Sequence, residues 1–201
     1  MTLVEDIVVK RLGRVEYSST WVAMRAFTKA RDESTPDELW LLEHPPVYTV
    51  GQGAPLPGPG NAIPVLKTDR GGDVTYHGPG QAVIYTLVDL ARRSIKVKGF
   101  VWLLEQTVID LLGGRAERRP GAPGVYVDGA KIAALGIRVV RGRAYHGLAL
   151  NVDMDLSPFA AIDPCGYPGL RVTQMRELGF TDSAETAASR LSRLLLEKLD
   201  A

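Results

Sequence analysis

The sequence predicts an α+β domain: a mixed, mainly antiparallel sheet flanked by about three helices. Three observations predict it. Short β-rich apolar runs occur in both halves of the chain, turn signals crowd between residues 124 and 153, and three stretches carry apolar residues at helical spacing. A length of 201 residues suits a single domain over 1–201 with one continuous core.

The elements follow in order. Asp6 to Leu12 is a short β-like run. From Ser18 or Ser19, either of which could cap a helix, Ala23, Met24, Phe27 and Ala30 recur at helical spacing to about Arg31. Leu39 to Glu43 and Val47 to Val50 read as strands, separated by His44-Pro45-Pro46, which no helix could cross. GQGAPLPGPGN at 51–61 is loop, and a candidate flap. QAVIYTLVDL at 81–90 has the character of a buried strand. Phe100 to Leu112 returns to helical period, with Gly113-Gly114 as its stop signal. GVYVDG, KIAALGIRVV and RAYHGLALNVD then form a meander of strands joined by DG and RG turns. The chain closes on an amphipathic helix, with Asp182 and Glu185 at capping-box spacing and an apolar face running from Ala184 to Leu199.

Composition narrows the function classes. Lys plus Arg number 24 against 23 acidic residues, so no global field holds a nucleic-acid backbone. No window approaches the roughly 18 uncharged residues of a membrane helix, and the N-terminal run lacks a signal-peptide core. A lone cysteine without an export signal fits a reducing cytoplasm. The three histidines, His44, His77 and His146, show no metal-ligand spacing with that cysteine, so neither a metal nor a cofactor is expected.

Four segments could carry chemistry. Cys165 lies in DPCGYPG, whose prolines and glycines make it a loop thiol rather than a packed one. RGGDVTYHGPGQ, 70–81, combines four glycines with a density of hydrogen-bonding groups that a plain hairpin does not require. It has neither the phosphate-loop nor the dinucleotide spacing. Lys131 is the one charge in GAKIAALG. It is either a strand-start lysine whose head reaches water or a partly desolvated ammonium able to exchange a proton near neutrality. His146, inside the apolar strand YHGLALN, reads as a satisfied core residue or as a member of a site assembled across the fold.

RGGDVTYHGPGQ, GVYVDGAKIAALGIRV, YHGLALNV and PCGYPG, in this order and at these intervals, resemble the lipoyl(octanoyl) transferases over about residues 40–176. The resemblance implies the fold shared with biotin and lipoate protein ligases. It further implies transfer of an octanoyl group from acyl carrier protein to the lysine of a lipoyl domain, in 2-oxo acid dehydrogenase subunits and the glycine cleavage H protein. By the same resemblance Cys165 is the acyl-accepting nucleophile and Lys131 its partner. Arg70, Gly71, Gly72, Asp73, Val74, Thr75, Tyr76 and His77 would line the substrate tunnel, with Ala134, Leu135, Gly136, Gly147, Leu148 and Ala149. Asp73, where many relatives are uncharged, and Tyr126, where Trp is common, depart from the pattern without touching the dyad. An acidic carrier would need local basic groups, either Arg92, Arg93, Lys96 and Lys98 or Arg138, Arg141 and Arg143. The rival readings are an ATP-dependent ligase, which would not need Cys165, and a non-catalytic module that holds acyl groups or lipoyl domains.

Overall fold

The computed structural model describes residues 7–54, 62–162 and 169–200. Cys165 and most of the 51–61 loop lie outside the described residues. In chain order the elements are β1 (Val8–Arg14), α1 (Tyr17–Ala30), β2 (Glu38–Glu43), β3 (Val47–Val50), β4 (Val65–Lys67), β5 (Val74–His77) and β6 (Gln81–Leu87). They continue with α2 (Val97–Leu111), β7 (Glu117–Arg119), β8 (Ala122–Val127), β9 (Ala130–Val140), β10 (Arg143–Asn151) and α3 (Ala184–Leu199). Seven strands form one sheet in the order β1-β2-β6-β10-β9-β8-β7, and β4-β3-β5 form a second. Only β1/β2 and β3/β4 pair in parallel; the remaining pairs are antiparallel.

The period-two alternation of the central strands divides the core. Leu39, Leu41, Ala82, Ile84, Leu148 and Leu150 point to one face, where α2 and α3 cover them. Trp40, Leu42, Val83, Tyr85 and Ala149 point to the other, where they meet Tyr17 and Met24 of α1. β6 is buried along its whole length because both faces are covered.

Several expectations shift. Helix α1 starts at Tyr17 with Glu16 as its cap residue and no side-chain cap; the hydroxyls of Ser19 and Thr20 turn back onto the Glu16 carbonyl instead. Its buried residues are Tyr17, Thr20, Met24 and Thr28, so Ala23 and Ala30 face outward. Threonine methyls serve where the pattern suggested alanines. On α3 the cap falls one residue later than Asp182: Ser183 Oγ accepts from the Thr186 amide at 3.1 Å. Asp182 is occupied by Arg190, at 2.9 Å from both carboxylate oxygens. Strands β4 and β7, three residues each, are too short to show a period. β5 lies inside the glycine-rich 70–81 segment.

One buried carboxylate ties the ends of these elements together. Asp37 Oδ1 lies 2.5 Å from Arg31 Nη2 and 2.7 Å from Arg92 Nη2, and Oδ2 lies 2.6 Å from Arg93 Nε. The Asp89 amide donates to it at 2.8 Å, and Arg93 also donates to the Leu199 carbonyl at 3.0 Å. Burial alone would raise the Asp37 pKa, but the bonds from Arg93, the Asp89 amide and Arg31 outweigh it and hold the group below its ordinary value. Of the first basic cluster, Arg92 and Arg93 therefore serve the fold. Asp37→Ala would strand a fully buried Arg31 guanidinium, at a cost of about 3–5 kcal/mol. We expect a markedly lower urea midpoint with an unchanged denaturant slope.

Candidate functional site

The local geometry of Lys131 depends on one extra residue. Tyr126 pairs with Lys131 and Val127 with Ala130, yet Val125 pairs with Ala133, so β9 carries a bulge at Ile132 against β8. Strict alternation would place Lys131 on the helix-covered face with Ala133 and Leu135. The bulge reverses that phase and puts Lys131 on the face of Tyr126. There the ammonium donates to the Pro123 carbonyl at 3.0 Å and lies 5.5 Å from the Tyr126 ring centroid. The residue is only 4% exposed, so its head does not reach bulk water. Gly124 makes room for it: a Cβ there would come within 2.5 Å of Lys131 Cε. The backbone is held from the other side, where the Lys131 amide donates to Arg171 and its carbonyl accepts from Thr173.

Beyond Lys131 the same face of the large sheet, together with the small sheet, encloses a slot. Its walls include Gly72, Val74 and Thr75 on one side and Ala134, Gly136, Gly147 and Ala149 on the other. Arg70, Asp73, His77, Leu135 and Leu148 also line it, so twelve of the fourteen tunnel residues expected from the sequence border one cavity. Of the other two, Gly71 backs the wall, its amide donating to the Ile137 carbonyl at 3.0 Å. Tyr76 faces the opposite side of β5, against Tyr48 and Phe159. Sequence reasoning did not assign Tyr17, Val83 and Tyr85 to the wall, and left the place of His146 open. The first three carry no motif, and topology alone brings them there.

The cavity volume is about 40 Å³. An engineered cavity of roughly 150 Å³ binds benzene, so the slot as it stands is smaller than a medium acyl chain. The walls are joined by backbone approach: a Cβ on Gly136 would sit 2.8 Å from the Gly71 carbonyl oxygen. Arg70 braces this edge through Thr49, with Nη2 2.6 Å from its carbonyl and Nε 3.1 Å from its hydroxyl.

Three histidines cluster around the slot. His44 donates from Nδ1 to the Val15 carbonyl at 2.6 Å and accepts from the Tyr85 hydroxyl at 2.7 Å. His77 donates from Nδ1 to Gln81 Oε1 at 2.8 Å. Burial lowers the His44 pKa to about 4, and burial together with the nearby His44 lowers that of His77 to about 3. His146 is lowered too, burial outweighing the bond to Asp69, so it donates from Nε2 to Asp69 at 2.9 Å as a neutral ring. Asp69 also accepts from Trp21 Nε1 at 2.8 Å and from the Tyr145 hydroxyl at 2.6 Å. Against burial, the bonds from His146, Tyr145 and Trp21 hold its carboxyl well below the usual range.

Outside the slot, Arg138, Arg141 and Arg143 line a groove of about 540 Å³ together with Arg25 and Lys29. Arg143 is engaged by Asp89 and the Arg31 carbonyl, and Arg138 by Gln52. Among the described residues no helix is long and apolar enough to cross a membrane.

A narrow apolar slot between a seven-stranded and a three-stranded sheet, with a buried lysine three residues along β9 from its wall, defines a catalytic domain of the lipoyl ligase class. The sequence matches the Lipoyl protein ligase A/B catalytic domain family over residues 16–195. Lipoate-protein ligase A, in a crystal structure bound with ATP, superimposes with a TM-score of 0.79 over 96% of this chain and 85% of that one, at 15% identity. An octanoyltransferase of Aromatoleum aromaticum is 60% identical over 192 residues, 92% of this chain and 82% of that protein. One of Dechloromonas aromatica is 60% identical over 200 residues, 96% of this chain and 97% of that protein. The chain belongs to the lipoyl protein ligase A/B family and, within it, to the octanoyltransferases.

The buried histidines make stability pH-dependent in a definite direction. His44 and His77 have folded pKa values of about 4 and about 3, against about 6.5 when unfolded. Between those values the unfolded chain binds more protons, so their contribution is complete above about pH 6.5 and is lost as pH falls toward 4 and 3. For His44 this amounts to on the order of 3 kcal/mol. Urea unfolding from pH 7 to pH 4 should show the loss, and His44→Gln should flatten the profile.

Proposed function

We propose that this octanoyltransferase takes its acyl group from octanoyl-acyl carrier protein onto Cys165 as a thioester, then passes it to the lysine of a lipoyl domain. The observation that carries this reading is the buried lysine that a bulge turns to the slot side of β9, three residues before Ala134 of the slot wall. The chain on both sides of Cys165 supports it. Six residues on, Arg171 to Thr173 runs beside Lys131, and three residues back, Ile162 packs with the Tyr48, Tyr76 and Phe159 cluster.

A free thiol has a pKa of about 8.5, and an adjacent cation favours its thiolate. The thiolate attacks the carrier thioester; a new C–S bond forms as the carrier's C–S bond breaks, and the departing carrier thiolate takes a proton from the Lys131 ammonium, leaving that amine neutral. Thioester exchange is close to thermoneutral, so no ATP is required. In the second step the acceptor amine attacks the acyl-Cys165 carbonyl, an amide forms and the Cys165 thiolate leaves. The amine's ordinary pKa is about 10.4. Its proton must be removed, and Lys131 is the base in reach. Acceptors of this chemistry are the lipoyl domains of 2-oxo acid dehydrogenase subunits and the glycine cleavage H protein.

The carrier's acidic surface has a better partner than either basic cluster expected from the sequence. Arg138 lies seven residues along β9 from Lys131, about 23 Å at strand rise. Arg119 stacks 4.6 Å from the Tyr126 ring, and Arg171 donates to the Asp128 carbonyl in the β8–β9 turn, so both lie beside the lysine. We place carrier docking there.

Intact-mass spectrometry after mixing with octanoyl-carrier protein should show one added octanoyl group, absent in Cys165→Ala. An unchanged mass in the parent protein would return the reading to a binding module, and a requirement for ATP would return it to a ligase. Lys131→Ala should fold and slow both half-reactions by at least 100-fold; turnover near that of the parent would remove the lysine from the mechanism.

A further inference from the structure

The slot has two unlike ends, and the transfer chemistry uses one of them. Away from Lys131, past the row of Gly136, Gly147 and Tyr85, it is faced by His146 and Tyr17. His146 sits at φ +62°, a left-handed conformation that costs a non-glycine residue about 1–3 kcal/mol. Strand alternation would send its ring to the helix-covered face with Ala144 and Leu148. The left-handed backbone turns it to the slot side instead. There it stacks on Tyr145 at 5.0 Å between centroids, meets the Tyr17 hydroxyl at 3.5 Å and is pinned through Nε2 by Asp69. Asp69 is in turn fixed by Trp21 of α1 and Tyr145 of β10, so the imidazole is held from two elements at once. Strained backbone and a fully committed carboxylate hold one ring across the end of an apolar channel.

We propose that His146, with Tyr17 behind it, is the end wall of the acyl slot and fixes the length of the chain the enzyme accepts. This deepens the acyl-transfer reading above and rests on it. Some stop is physically required. Each buried methylene adds about 0.8 kcal/mol, so an open-ended slot would bind a chain two carbons longer roughly tenfold more tightly and would select long acyl groups. With the wall in place, the methyl end meets the imidazole. Further carbons can enter only by pulling the ring off Asp69.

The test measures kcat/KM with octanoyl-, decanoyl- and dodecanoyl-carrier protein. His146→Gly removes the ring and suits the left-handed backbone; Tyr17→Ala opens the same end from α1 without touching that backbone. The parent should lose efficiency from the eight- to the twelve-carbon donor, and each folded variant should raise the twelve-to-eight ratio at least tenfold. Variants with native near-ultraviolet circular dichroism and an unaltered ratio would overturn the proposal, as would an equal loss on all three donors. Failure of the underlying reading looks different, because no donor would then leave an acyl group on the parent protein.

Discussion

The inserted residue at Ile132 decides which side of the large sheet the chemistry occupies. β9 has a period of two, and Ala133, Leu135, Ile137 and Val139 are committed to the face that packs beneath α2 and α3. A lysine in phase with them would bury its ammonium among Leu104, Leu111 and Leu191, where a charge has no compensation. Shifting the phase by one residue gives the ammonium a carbonyl, an aromatic face and the mouth of the slot. The bulge therefore lets a single strand face the helices over most of its length and turn its lysine to the opposite side at its start.

The slot follows from how close two backbones may come. Gly136 and Gly147 face one another across β9 and β10; a Cβ on Gly136 would run into the Gly71 carbonyl on the small-sheet side, and one on Gly147 into the Ile84 carbonyl of the neighbouring β6. Without them, the Gly71–Ile137 hydrogen bond closes the gap from the small sheet. The bonds of Asp69 to His146 and Tyr145 and of Arg138 to Gln52 join the two layers further along. Arg70, through its bonds to Thr49, braces the small-sheet side of this edge.

The sequence displayed the layers more readily than the site. The long strands β6, β9 and β10 announce themselves by apolar runs and turn residues, and α2 and α3 by their leucines, because burial on a covered face leaves a periodic trace. The three-residue strands β4 and β7 leave none, and the helix caps slid by a residue or two because several neighbouring Ser, Thr and Asp residues could each fill the role. The tunnel glycines and Arg70 were visible as composition that a hairpin would not need. Tyr17 and Tyr85 were not, since each looks like an ordinary core aromatic until the topology stacks α1 over β6. His146 could be read from its strand as a satisfied core residue, and so it is, bonded to Asp69. What the pattern cannot express is its left-handed backbone, which makes the same residue core by burial and wall by orientation.

The fold alone does not set the reaction. A lipoate-protein ligase whose structure is bound with ATP shares this architecture closely at 15% identity, so layers and slot do not dictate the reaction. A buried lysine beside an apolar channel can orient an activated carboxyl equally well in an enzyme that adenylates a free acid. What separates the two chemistries is whether a nucleophile stands beside that lysine, which an adenylating enzyme does not need and acyl transfer through an enzyme thioester does. In this chain the one cysteine lies in the segment leading to the strand pair at Lys131. The reaction class therefore turns on Cys165 and Lys131, and the left-handed His146 of the slot is where the proposed acyl-length selectivity is to be sought.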